Sequence, residues 1–179
     1  MQALLAVSRA IDWINARLGT VACWLVLIAC LVSAGNAGSR YLFSVSSNAW
    51  LEIQWYMFSG IFLLGASYTL KVNEHVRVDL IYAHVSPRAR LWIDVFGIIF
   101  FLLPATIILT DMTWPFFYDA WVRNEDSNNA GGLIRWPVKL LLPVGFAFLT
   151  AQGISELIKR IDALSGAIEL ETRYDRPLQ

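Results

Sequence analysis

The chain of 179 residues has few charged side chains, only two histidines and only two cysteines. Fourteen basic residues balance fourteen acidic ones, and the basic residues are scattered singly, so nothing favours binding to nucleic acid. Cys23 and Cys30 lie two turns apart on one apolar helix, too far apart for their side chains to bridge. We therefore interpret both cysteines as small packing residues.

Side-chain groupings that would support catalysis or a resident cofactor are also missing from the sequence. It contains no Ser-His-Asp order, HExxH string, glycine-rich phosphate loop or paired-carboxylate pocket. His75 and His84 lie in a polar connection, whereas a membrane haem needs axial histidines inside the spanning helices. A metal site made of His75, Asp79 and His84 is allowed by spacing but lacks a recognised pattern. We predict that the chain is not an enzyme and carries no cofactor.

Apolar residues, in contrast, make up 57% of the sequence, and the mean hydropathy is +0.54. A hydrocarbon core of about 30 Å requires about 20 residues of helix. Backbone amides in lipid must be paired within the segment, which makes helices the expected spanning form. Four apolar segments of this length predict four transmembrane helices, at residues 20–38, 51–70, 91–110 and 138–158.

These spans leave little of the chain for a soluble domain, so we predict one all-α membrane domain over residues 1–179. Apolar spacings of three and four between Leu4 and Leu18 indicate an N-terminal amphipathic helix at the membrane interface. Short interfacial helical segments are expected in the connections, at residues 71–90 and 111–122. We favour these assignments over an N-terminal signal peptide, because the first apolar run has the length of a full span.

Serine and proline mark where the helices are expected to begin or bend. Ser86 followed by Pro87 matches an N-cap and a first helical position. Pro104, Pro115 and Pro143 each remove a backbone donor, so we expect bends in the helices that contain them.

The distribution of positive charge predicts the orientation of the helices. Ten lysines and arginines lie in the N-terminus, the second connection and the C-terminal tail, against four in the remaining segments. Since positive residues accumulate on the cytoplasmic side, both termini are expected in the cytoplasm. Tryptophans beside the second and third spans, among them Trp50 and Trp114, are typical of the aromatic belt at the opposite interface.

Acidic residues of the spans lie near the ends of the spans and not at mid-membrane. Glu52 opens the second span, Asp94 lies near the start of the third, and Glu156 closes the fourth. A transporter of charged solutes needs ionisable residues or broken helices near the membrane centre. We therefore expect these acids to pair with basic groups on another helix more than to carry protons, and we expect an accessory subunit.

Several short motifs resemble one family of membrane proteins. They are RYLF at residues 40–43, Trp50 with Glu52, LLGASYTL at residues 63–70 and EHVRVDL at residues 74–80. With a further pattern between Trp121 and Glu156, they resemble the DctQ-like small permease subunit of tripartite ATP-independent periplasmic (TRAP) transporters. Ile53 and Tyr56 depart from the pattern, since many relatives carry an acid and an arginine there.

The resemblance implies a three-part sodium symporter in the bacterial cytoplasmic (inner) membrane. The expected partners are a large DctM-like permease subunit, a DctP-like periplasmic substrate-binding protein and membrane lipids. The transported solute would be an organic acid, and this chain would be a non-catalytic scaffold of the large subunit. The alternative is a membrane anchor of a redox or signalling complex, which a neighbouring iron-sulfur or flavin subunit gene would favour.

Two groups of residues are predicted to contact these partners. The first group is expected to contact the large subunit, and it combines small residues one helical turn apart with charged residues of the motifs. For Arg77, a role in setting the membrane topology or in binding lipid headgroups is an equal alternative. The second is a polar, acidic loop that would dock the binding protein, with a solvated loop as its alternative. The subunit-contact group is Ser33, Ala34, Gly35, Gly38, Arg40, Glu52, Arg77 and Asp79. The docking loop comprises Asn124, Glu125, Asp126, Gly131 and Gly132.

Overall fold

A computed structural model of the chain describes residues 2–74 and 85–165, and these residues are helical apart from short connections. The predicted all-α class is confirmed for this part of the chain. The helices are α1 (Gln2–Phe43), α2 (Asn48–Val72), α3 (Pro87–Gly97), α4 (Leu103–Val122) and α5 (Trp136–Leu164). A π-helical segment, Ile98–Leu102, joins α3 to α4.

The first helix, α1, is continuous over 42 residues, or about 63 Å at 1.5 Å per residue. The structure differs here from the expectation of an interfacial helix followed by a separate span, because no break divides the two. Gly19 lies at the expected junction and is packed against α2, where an added Cβ would come within 2.5 Å of the Tyr68 ring. The helix ends before Ser44, whose φ of 54° leaves the helical region.

The second helix, α2, contains the predicted span at residues 51–70 and has a cap at each end. The Ser47 hydroxyl accepts a hydrogen bond from the Ala49 amide over 3.3 Å. Asn73 ends the helix in the left-handed conformation, with φ of 62°, a conformation that asparagine adopts at lower cost than most residues.

The predicted start of α3 is confirmed. Ser86 is the N-cap, its hydroxyl accepts from the Ala89 amide over 3.4 Å, and Pro87 lies in the first turn. The π-helical segment ends two residues before Pro104, whose ring and missing N–H disturb the preceding turn. α4 continues through Pro115, so the segment at residues 111–122 is part of this helix.

Among the described residues, three helical segments are long and apolar enough to cross a membrane. They are Gln2–Phe43, Pro87–Val122 and Trp136–Leu164, and they contain three of the four predicted spans. α2 has 25 residues and is not among them. The second span therefore stays a prediction. Half of the predicted interfacial segment at residues 71–90, namely residues 75–84, lies outside the described residues.

The last helix, α5, is the element against which the others pack. α1 and α2 contact each other and both contact α5, whereas α3, the π-helical segment and α4 contact their neighbours in sequence and pack together on α5. We call residues 87–122 the α3–α4 arm. A cleft of about 940 Å³ separates α2 from this arm; apolar residues such as Phe62 and Phe101 line it, together with Asp94 and Arg160.

Candidate functional site

Buried polar side chains join α1 to α5 near the N-terminus of α1 and the C-terminus of α5, which we call the terminal end of the bundle. The hydroxyls of Ser8 and Ser155 lie 2.7 Å apart, and the Asn15 amide donates to Gln152 Oε1 over 2.6 Å. All four side chains are buried. Interhelical hydrogen bonds of this kind stabilise contacts between membrane helices, since the alternative is an unpaired polar group in an apolar medium.

A chain of ion pairs extends from these contacts and links α1, α5 and α3. Lys159 Nζ lies 3.1 Å from Asp12 Oδ2, and Arg160 Nε lies 2.9 Å from Asp94 Oδ2. Glu156 pairs with both Lys159 and Arg160, and so connects the two halves. We call these five residues the ion-pair chain. Ionised side chains that are this little exposed to solvent are stable only when they are paired and hydrogen-bonded.

Gln152 connects the buried hydrogen bonds to the ion-pair chain. Its amide nitrogen donates to Asp12 over 2.9 Å and to Glu156 over 3.0 Å, while its oxygen accepts from Asn15. Both amide hydrogens and the oxygen are therefore used, which leaves this fully buried side chain satisfied. These contacts join α1 to α5 at several points along both helices, and so hold the two in this register.

At the opposite end, which we call the loop end, Glu52 holds the connection between α4 and α5. Its carboxylate accepts from the Asn129 side-chain amide over 2.8 Å, from the Leu133 backbone amide over 2.7 Å, and from the Ser127 hydroxyl. The residue is only 3% exposed. Gly132 permits this approach, because an added Cβ would lie 2.7 Å from Glu52 Oε2.

The acids named from the sequence therefore have different partners. Asp94 pairs with Arg160 on another helix, as expected. Glu156 pairs within its own helix, with Lys159 and Arg160. Glu52 differs from the expectation, because its hydrogen-bond donors in the described part of the chain are neutral. Its assignment to the large-subunit surface stays a prediction. Within the chain, its carboxylate already accepts hydrogen bonds from three residues.

The structure divides the predicted docking loop into an inward and an outward part. Glu125 is half-buried and pairs with Lys139 of α5 over 2.5 Å, and Gly132 lies against Glu52. Asn124, Asp126 and Gly131 are exposed. Only this second set is available on the surface of the single chain.

The predicted subunit-contact residues on α1 face open space. Ser33, Ala34 and Gly35 are exposed, and Gly38 is half-buried. An added Cβ on Gly35 or Gly38 would meet no atom within 4 Å. Neither glycine is therefore needed to pack this chain against itself. Arg77 and Asp79 lie outside the described residues.

Within residues 2–74 and 85–165, no group of three or more histidine, cysteine, aspartate or glutamate side chains is arranged to hold a metal ion. Cys23 and Cys30 are free and exposed. The candidate set of His75, Asp79 and His84 lies outside the described residues.

Sequence reasoning missed the partners that complete the network at the terminal end. Asp12 and Asn15 share one face of α1, and Gln152, Ser155 and Lys159 share one face of α5, at spacings of three and four. Polar residues at such spacings on two apolar helices are a detectable signal for a polar helix contact. The sequence alone does not say which two helices meet.

This fold and site define the class of the protein. It is a membrane protein of several helices, which polar side chains connect to one another. A family model described as "Tripartite ATP-independent periplasmic transporters, DctQ component" matches residues 29–163, and the chain belongs to this family. Comparison with curated proteins and with solved structures found no match. The resemblance to TRAP small permease subunits is thus confirmed, and the protein is a membrane component of a transporter.

Proposed function

We propose that this chain is the non-catalytic scaffold subunit of a TRAP transporter. It braces the large permease subunit during sodium-coupled uptake of an organic acid that a periplasmic binding protein delivers. The observation that carries the proposal is that polar contacts tie the helices at both ends. The ion-pair chain joins α1, α3 and α5, and Glu52 ties α2 to the loop before α5. Such internal ties suit a rigid support.

The membrane arrangement in this proposal has four spans, formed by α1, α2, the α3–α4 arm and α5, in the bacterial inner membrane. Both termini lie in the cytoplasm, so the terminal end is cytoplasmic and the loop end is periplasmic. The length of α2, 25 residues, and its packing against both α1 and α5 support its place as the second of these four spans. Exposed tryptophans at the loop end, among them Trp50 and Trp121, support an interface there.

Reconstitution of the complete system tests this function. The large subunit, the binding protein and this chain are placed in vesicles with a sodium gradient, and uptake of radiolabelled organic acids is measured with and without this chain. We expect uptake only when all three proteins are present. Uptake by this chain alone, or undiminished uptake without it, would overturn the proposal.

The open face of α1 gives a second test. Leucine at Ala34 or Gly38 adds bulk to a surface with small residues one turn apart, which would prevent close approach of a partner helix. We expect either substitution to weaken co-purification with the large subunit. Ala10→Leu, at another exposed alanine of α1, is the matched control and should leave co-purification unchanged.

A further inference from the structure

A second cleft, distinct from the one beside the α3–α4 arm, lies between α1 and α2 at the loop end. Its volume is about 600 Å³. On α1 the lining residues share one face, and two residues of α2 form the opposite wall. The lining residues are Ser33, Asn36, Ala37, Arg40, Tyr41, Leu51 and Gln54. We call this the Arg40 cleft.

Arg40 brings a positive charge to this cleft without a counter-charge. The ion pairs of the described residues involve Arg123, Lys139, Lys159 and Arg160, and none of them includes Arg40. Its position in the last turn of α1 is favourable for a cation, because the helix dipole places partial negative charge there. That interaction uses none of the guanidinium donors, which are therefore available to a ligand.

Asn36 and Gln54 add polar side chains to the lining of the same cleft. The Gln54 side-chain nitrogen donates to the Trp50 carbonyl over 3.0 Å. The Asn36 side-chain oxygen is inaccessible to solvent, so it lies beneath the surface of the cleft. The charge that the cleft presents to a partner is therefore that of Arg40.

We propose that the Arg40 cleft receives an acidic side chain of the large membrane subunit. This inference rests on the proposed function, which supplies the partner. The carboxylate would pair with Arg40. A helix is favoured as the carrier of this acid because the small residues Ala34 and Gly38 lie beside the cleft and permit close approach of a backbone.

A matched pair of arginine substitutions tests the inference. Arg40 and Arg123 are both exposed and both lie at the C-terminal end of a helix, but Arg123 pairs with Asp119 of its own helix. Each is replaced by glutamine, and retention of this chain on the tagged large subunit is measured in detergent. We expect Arg40→Gln to weaken the association by about tenfold or more, since truncation of one partner leaves the other charge unpaired. Arg123→Gln should leave it unchanged.

Photo-crosslinking identifies the occupant of the cleft independently of affinity. A photoreactive p-benzoylphenylalanine at Leu51, in the cleft wall, is expected to form an adduct with the large subunit. Exchange of the acid found near the crosslink for arginine should restore retention when it is combined with Arg40→Glu. Adducts with lipid only, or equal retention of Arg40→Gln and Arg123→Gln, would overturn the inference.

The two proposals fail in different ways. If the wild-type chain is not retained by the large subunit at all, the scaffold function is wrong, and the inference falls with it. If the wild-type chain is retained and Arg40→Gln is retained equally well, only the assignment of the cleft is wrong. Circular dichroism of both variants as isolated chains checks that each is folded.

Discussion

The side-chain amide of Asn15 on α1 donates to the side-chain oxygen of Gln152 on α5 over 2.6 Å, and neither residue is exposed to solvent. The two residues are far apart in sequence, yet their contact sets the register of the first helix on the last. Every other polar contact between α1 and α5 lies on the side of this pair toward the terminal end.

Substitution of Asn15 tests how much this pair stabilises the fold. Asn15→Leu removes a donor and leaves the Gln152 oxygen buried without a partner, so we expect a loss of about 1 to 2 kcal/mol in the free energy of unfolding. Unfolding of the isolated chain in mixed micelles measures this loss. Thr20→Val is the control, because the Thr20 hydroxyl bonds only to its own helix, at the Ala16 carbonyl. Equal stability of the two variants would contradict the prediction.

Arg160 and Arg123 form a matched pair for the effect of burial on ion pairs. Each pairs with an acid four residues earlier, but the Arg160 side chain is 8% exposed and that of Arg123 is 75% exposed. Arg160→Gln leaves Asp94 and Glu156 short of a positive charge, so we expect a loss of about 3 kcal/mol or more. Arg123→Gln should change stability by less than about 1 kcal/mol. Thermal unfolding in the same detergent compares the two.

Glu52→Gln tests the attachment of the loop before α5. The substitution keeps the shape of the side chain but turns one acceptor into a donor, which then faces either the donors of Ser127 and Asn129 or the Leu133 amide. We expect several-fold faster hydrogen exchange at the Leu133 amide. Asp126→Asn changes an exposed acid of the same loop and should leave exchange at Leu133 unaltered. Equal protection in both variants would show that Glu52 does not hold the loop.

Gly145→Ala tests the contact between α2 and α5. An added Cβ would lie 2.7 Å from the Leu63 Cβ and 3.0 Å from the Leu63 carbonyl oxygen, and the backbone cannot move away without separating the helices. Overpacking of this kind costs about 1 to 3 kcal/mol. At Gly35, where nothing lies within 4 Å, the same change should stabilise the isolated chain by about 0.5 to 1 kcal/mol. Opposite signs in the two unfolding experiments are the expected result.

Local features of this fold could be predicted from the sequence because they depend on near neighbours. The start of α3 at Ser86 and Pro87 follows from capping chemistry, and the positions of the helices follow from runs of apolar residues. The continuity of α1 was not predicted, because the amphipathic segment up to Leu18 and the span at residues 20–38 were treated as separate elements. The role of Gly19 as a close contact with Tyr68 depends on a second helix.

Features that depend on which helices meet could not be predicted in the same way. Glu52 was expected to meet a basic partner, but neutral donors from a loop far along the chain surround its carboxylate. Asn15 and Gln152 carry no charge and match no motif, so only the packing of α1 on α5 identifies them as partners. Pairing between distant segments is a property of the tertiary structure, which local patterns do not encode.

The packing of the α3–α4 arm has a mechanical consequence. Since the arm makes its main contacts with α5 and a cleft lies between it and α2, a force applied to the arm reaches the first two helices mainly through α5. The Asp94–Arg160 ion pair joins the arm to α5. A tilt of the arm about α5 would therefore widen or narrow the cleft while α1 and α2 stay in register.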